Sequence, residues 1–249
     1  MNLKERIMTV SELLKEQDAL NAMTIGDKWK TTMTSSAFLC QVLFEGTELI
    51  VESGVGYKWW KFEQNQPVDM WNIKIEVIDM LHFLLSSVSL GIHNRRLSVE
   101  ERAAFEQMYI GSDIAELAAD GKPVSGMQII ENGKLNYESY IQLIRTILFL
   151  DMIQENGEFI AMAYATLDTL VASIGLTSQE ASAIYTAKAT LNRIRQSSGY
   201  KDGTYVKVTK EGVEDNERLR PIVENFMVDT NVSLNVLAKQ VRDEFFKTA

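Results

Sequence analysis

Four carboxylates open the chemical reading of this chain. Glu45 and Glu48 are three residues apart, and so are Glu76 and Asp79. On a helix that spacing puts both members of a pair on one face, one turn apart. Their neighbours are apolar: Phe38, Leu39, Val42, Leu43, Leu49 and Ile50 around the first pair, Ile75, Val77, Ile78 and Leu81 around the second. Carboxylates set in such faces repel one another and lose water, which raises their pKa values unless a counter-charge is supplied. Magnesium supplies one, because it takes hard oxygen ligands and bridges to phosphate oxygens. Two such ions would clamp a polyphosphate and activate a water for in-line attack. The same spacing also fits a solvated helix face, and the pairs alone leave both readings open.

A basic cluster near the C-terminus offers the complementary charge. Lys188, Asn192 and Arg195 fall on one helical face and lead into Gly199-Tyr200-Lys201-Asp202-Gly203-Thr204-Tyr205-Val206-Lys207. Glycines permit tight turns, while Lys and Arg supply donors for phosphate oxygens. The alternative is a solvated loop following a helix end whose dipole favours basic residues. Nearer the start, Gln17 and Asn21 lie one turn apart, and amides offer the paired donor and acceptor that a pyrimidine edge requires. His82 and Phe83, just after Asp79, add a ring contact.

The elements that must position these groups are helical. Only 3 prolines and 14 glycines interrupt 249 residues, and apolar positions recur at helical spacing. The pattern predicts an all-α fold with helices over roughly 3–20, 35–52, 70–90, 136–154, 157–174, 178–196, 214–228 and 233–247. Thr34, Ser35 and Asp69 serve as caps, and Gly54 and Gly91 as stops. Residues 98–135 change character, with a short charged helix near 99–109, and read as an insertion or mobile lobe in an otherwise single domain spanning 1–249. A net charge of −9 argues against electrostatic binding to nucleic acid. One cysteine, Cys40, cannot form an intrachain disulfide and suits a reducing compartment. No segment reads as a membrane span or signal peptide, so a cytoplasmic protein is expected.

Taken together, Gln17-Asp18-Ala19-Leu20-Asn21, Glu45-x-x-Glu48, Trp59-Trp60-Lys61, Glu76-x-x-Asp79-x-x-His82-Phe83 and Lys188-x-x-x-Asn192-x-x-Arg195 resemble the dimeric dUTPases. Gly199-Tyr200-Lys201-x-Gly203-x-Tyr205-x-Lys207 and Glu214-Asp215-Asn216 extend the resemblance, which spans residues 17–216. These enzymes belong to the all-α nucleotide pyrophosphatases, with MazG-like proteins and phage dCTPase-dUTPases. The resemblance implies a helical bundle of that type. It implies that Glu45, Glu48, Glu76 and Asp79 are magnesium ligands, one of the first pair also orienting the attacking water. It implies phosphate and sugar contacts from Lys188, Asn192, Arg195, Tyr200, Lys201 and Lys207. Gln17 and Asn21 become base-reading amides, with Trp60, His82 and Phe83 around the base and deoxyribose. The implied reaction is hydrolysis of dUTP, or dUDP, to keep uracil out of DNA, carried out by a homodimer. The chain departs from the family in having Ala189 after Lys188 and no aromatic residue soon after Lys207. The alternatives are a dCTPase-dUTPase, a broader dNTP pyrophosphatase, and a phage-type regulator that binds a repressor protein.

Overall fold

The computed structural model describes residues 5–54, 68–94, 127–153 and 159–246. Nine helices and one two-stranded hairpin occupy these residues, and the fold is all-α. In chain order they are α1 (Val10–Ile25), α2 (Trp29–Thr32), α3 (Ser35–Glu52), α4 (Met70–Asn94), β1 (Ile130–Glu131), β2 (Lys134–Leu135), α5 (Tyr137–Met152), α6 (Phe159–Ala172), α7 (Ser178–Ser197), α8 (Asp215–Val228) and α9 (Leu234–Phe246). Residues Trp59-Trp60-Lys61 and the expected charged helix near 99–109 lie outside the described residues.

α4 is the central element. Ile73, Val77, Ile78, Met80, Leu81, Leu84, Leu85, Val88 and Leu90 are fully buried along it. A helix apolar on every face must be wrapped by others, and α4 packs on α3, α6, α1 and α7. It is long and apolar enough to span a membrane by length and composition, yet 83% of its apolar stretch is buried inside the fold. α7 forms the second axis, packed against α9, α8 and α1. Its Ala181, Ala183, Ala187 and Ala189 are buried, and such small residues let neighbouring backbones approach.

Local signals set the helix ends. Thr34, Asn136 and Thr177 accept hydrogen bonds from the backbone N–H groups of Ala37, Ser139 and Glu180. Asp69 Oδ1 accepts from the N–H of Trp71 at 2.9 Å. α1 starts later than its apolar period suggests, at Val10 rather than residue 3, because Thr9 and Glu12 form a reciprocal capping box. The chain before it takes another role. Arg6 is buried and donates to the carbonyls of Phe226, Asp229 and Val232 at the end of α8.

Three further departures from the sequence reading have local causes. Residues 29–32, between the helices expected over 3–20 and 35–52, form the single turn α2, because Trp29 buries edge-on against Phe38 with ring centroids 5.8 Å apart. Residues 127–135, grouped by composition with the insertion, contain a hairpin at Asn132-Gly133, where both residues have positive φ. Its Ile129 is fully buried and its N–H donates to the carbonyl of Ser173. Finally, Gly91 does not end α4, which runs on to Asn94. The glycine serves packing instead, since a Cβ there would lie 2.2 Å from the Phe159 ring. Gly91→Ala is therefore expected to overpack this contact and destabilise the protein by about 1–3 kcal/mol, measured as a lower midpoint in urea with an unchanged slope.

Candidate active site

Adjacent helices α3 and α4 bring the acidic pairs together. One carboxylate oxygen from each of Glu45, Glu76 and Asp79 lies within 4.8 Å of the others. Glu76 is buried, Glu45 and Asp79 are half-buried, and Glu48 is exposed one turn further along α3. Glu48 stands outside this trio, although its negative charge raises the pKa of both Glu45 and Glu76.

The cluster is electrostatically strained. Burial, then the neighbouring Asp79, pushes Glu45 up to about 7 and Glu76 up to about 9. Glu76 acts in the opposite direction and lowers Glu45, without outweighing burial and Asp79. Glu76 Oε2 is buried with no hydrogen-bond partner. An all-oxygen donor set with one buried, unsatisfied atom fits a hard divalent cation.

Lys188 supplies the fixed positive charge. Only 1% exposed, it places Nζ 2.8 Å from Asp79 Oδ2 and donates to Asn216 Oδ1 at 3.0 Å. Two turns along α7, Arg195 grips Asp215 with two bonds of 2.9 and 2.7 Å, and donates to Asn192 and Asn216 as well. Tyr205 donates to the same Asp215 at 3.0 Å. Burial by itself would raise Asp215, but the Arg195 bonds outweigh it and hold this carboxyl below its ordinary value. Lys188 and Arg195 are thus held in place by partners rather than left free.

Gly199 makes the loop turn possible. Its φ is +87°, and a Cβ there would lie 1.9 Å from Thr204 Oγ1. Beyond it, Tyr200 is exposed and tilts against Tyr205 with centroids 6.2 Å apart. Lys207 Nζ sits 5.5 Å from the centre of the Tyr200 ring. Lys201 is exposed and reaches back to the carbonyl of Met23 at 3.4 Å. These groups form a basic, aromatic rim.

Next to the carboxylates lies a buried polar network. His82 is one turn after Asp79, and its Nδ1 lies 2.7 Å from Gln17 Oε1. Gln17 also bonds Asn21, Ser86 and Tyr185. Gln17 and Asn21 are 3% and 5% exposed, so the two amides act within the protein interior. Desolvation pushes His82 down to about 4, which leaves the imidazole neutral. Phe83 is half-buried and packs between the main core and the Trp29–Phe38 cluster. Trp60 lies outside the described residues.

Sequence reasoning assigned no role to four residues that the structure brings into these networks. Asp215 and Asn216 are acidic and amide residues at a helix start, a pattern that ordinarily signals only capping. Ser86 and Tyr185 carry no local signal for these roles, since the side chains they meet, Asn21 and Gln17, are 65 and 168 residues away.

An all-helical fold with carboxylates from two adjacent helices facing a buried lysine could hold a cation beside a fixed positive charge, a combination suited to an anionic substrate. The chain belongs to the dUTPase family, whose model matches residues 9–200. It is a nucleoside triphosphate pyrophosphatase with a nucleotide substrate. The match includes all four carboxylates and the Lys188–Arg195 face, while Lys201, Lys207 and Asp215 lie beyond it. A search of curated proteins finds no match.

The raised carboxyls give a pH signature. Glu45 and Glu76 hold protons in the folded chain that the unfolded chain, with carboxyls near 4.5, has already lost. Their contribution therefore favours the folded state at low pH and disappears as pH rises through about 7 and about 9. In EDTA, the thermal midpoint should fall across this range relative to Glu76→Gln. The variant should be the more stable protein at about pH 8, by roughly 2–4 °C for each kcal/mol relieved. Parallel pH profiles would remove the proposed strain.

Proposed function

We propose that the protein hydrolyses dUTP to dUMP and pyrophosphate with magnesium, and accepts dUDP as a shorter substrate. The observation that carries this reading is the Glu45–Glu76–Asp79 trio, with its unsatisfied Glu76 oxygen, beside Lys188. Glu45, Glu76 and Asp79 would hold the metal, with Glu48 closing the set from the exposed side. Magnesium supplies the positive charge that lets carboxylates and a polyphosphate share one site.

The chain's own residues do the rest. Glu45, half-buried at the edge of the trio, takes the proton of the attacking water. Glu48 orients that water. Lys188 and Arg195 turn donors toward phosphate oxygens, and the carboxamides of Asn192 and Asn216 keep both cations in register. Tyr200, Lys201 and Lys207 close over the sugar and phosphates from the rim. Asn21, His82 and Phe83 hold the base and deoxyribose, and Gln17 acts there by fixing the ring of His82.

Hydrolysis across a panel of dUTP, dUDP, dCTP and dTTP, with magnesium and with EDTA, tests the reading. Magnesium-dependent release of pyrophosphate from dUTP is expected, and Glu76→Gln should lower kcat by roughly 10³-fold, about 4 kcal/mol of transition-state stabilisation. If all four nucleotides survive, or EDTA leaves the rate unchanged, the reading fails.

The working unit we propose is a homodimer. α3 and α5 lie side by side and expose Phe44, Val51, Ile141, Leu148, Phe149 and Met152. An apolar surface of this kind marks an interaction face. A second copy of the chain covering it would also shield the outer side of α3, where Glu48 lies. Light scattering should give twice the mass of one chain, and Phe149→Asp with Met152→Asp should give the monomer. A monomeric parent protein would refute the dimer.

A further inference from the structure

The network around His82 dictates the hydrogen-bonding role of its ring. Ser86 Oγ carries one hydrogen, and the His82 carbonyl at 2.8 Å takes it in preference to the more distant Asn21 Oδ1 at 3.4 Å. Its lone pairs therefore receive Gln17 Nε2 at 3.0 Å and Asn21 Nδ2 at 2.9 Å. Gln17 Nε2 also donates to Asn21 Oδ1 at 3.0 Å. With its nitrogen directed to these two acceptors, the Gln17 amide must present Oε1 to His82 Nδ1, 2.7 Å away, and to Tyr185 OH, 3.1 Å away. A carbonyl oxygen only accepts, so Nδ1 carries the hydrogen. The neutral imidazole then has a bare lone pair on Nε2. That atom is buried and has no hydrogen-bond partner, in a residue only 4% exposed. Tyr185 stacks on the ring at 4.3 Å and fixes its plane.

We propose that Ser86 is a positioning residue that, through Gln17, holds His82 with Nε2 as an acceptor, and that this lone pair receives the N3–H of uracil. The uracil half rests on the dUTP reading above, whereas the tautomer does not. Cytosine in the same pose sets its own N3 lone pair against Nε2, leaving both unsatisfied, and a site built to hydrogen-bond one group discriminates strongly against its absence. The polarity passes from Ser86 to Gln17 to His82, so a residue that does not touch the base selects it.

The full chain has two histidines, His82 and the exposed His93, so imidazole ¹⁵N spectra of the nucleotide-free protein report His82 directly. Hydrogen on Nδ1 is expected, and hydrogen on Nε2 overturns the proposal. Ser86→Ala frees the Gln17 amide to rotate. It should populate the Nε2–H form and reduce the dUTP-to-dCTP ratio of kcat/KM by roughly tenfold, about 1.4 kcal/mol. The loss should fall on KM for dUTP, with inhibition by pyrophosphate unchanged. Ser86→Thr keeps the hydroxyl and should restore tautomer and ratio together. An unchanged ratio in Ser86→Ala refutes the role of Ser86. Wild-type protein that hydrolyses dCTP as readily as dUTP refutes uracil selection. Should Ser86→Ala not fold, the wild-type spectrum and the Ser86→Thr ratio still decide. If no nucleotide is hydrolysed, the functional reading falls alone and the spectrum judges the tautomer.

Discussion

Like charges held together at a half-buried wall destabilise a folded chain unless something else compensates them, and the interior around Glu76 is arranged around that constraint. Burial and Asp79 drive Glu45 and Glu76 far above ordinary carboxyl behaviour. One compensating charge is built in: Lys188, 1% exposed, bonded to Asp79. A buried lysine is itself costly unless paired, so cation and carboxylates are mutually dependent. One lysine does not neutralise the group, and Glu76 keeps an unsatisfied oxygen. The free protein thus carries a deficit of positive charge that a divalent ion is suited to meet.

The surrounding fold keeps that tension from relaxing. α4, wrapped on several sides, cannot rotate Glu76 and Asp79 away without exposing its leucines and isoleucines. α7 holds Lys188 and Arg195 through two residues at the start of α8, Asp215 and Asn216. A loop turning at Gly199 and Gly203 returns the chain to that point. The polar network of Gln17, Asn21, Ser86, His82 and Tyr185 lies within the same packing of α1, α4 and α7. Every donor in it that is fixed by one partner limits the next, which is how buried hydrogen-bond networks come to specify one arrangement.

Much of the fold is legible in the amino-acid sequence. Helices expected over 35–52, 70–90 and 178–196 form over 35–52, 70–94 and 178–197, because long apolar periods and side-chain caps are local properties. The failures were local as well as distant. The Thr9–Glu12 capping box was present in the sequence as a signal for the start of α1, but the apolar residues upstream masked it. Asn132-Gly133 was a hairpin signal hidden in a stretch judged by composition. Gly91 inside α4 was different, because only the Phe159 ring packed on it explains why a glycine stands there.

By itself the sequence determined which residues share a helical face, hence the pairing of Glu45 with Glu48 and Glu76 with Asp79, and it determined the motifs that place the chain among the dUTPases. These follow from a period of 3.6 residues and from the chemistry of side chains, which need no distant partner. Tertiary structure alone decided that Glu45 joins Glu76 and Asp79 while Glu48 stays exposed. It alone paired Lys188 with Asp79, and gave Arg195 to Asp215. It also decided that Gln17 and Asn21 meet at Ser86, and that Gln17 bonds the ring of His82. Such choices depend on the angle at which two helices cross and on which atoms lose water there, and no spacing along one helix encodes either.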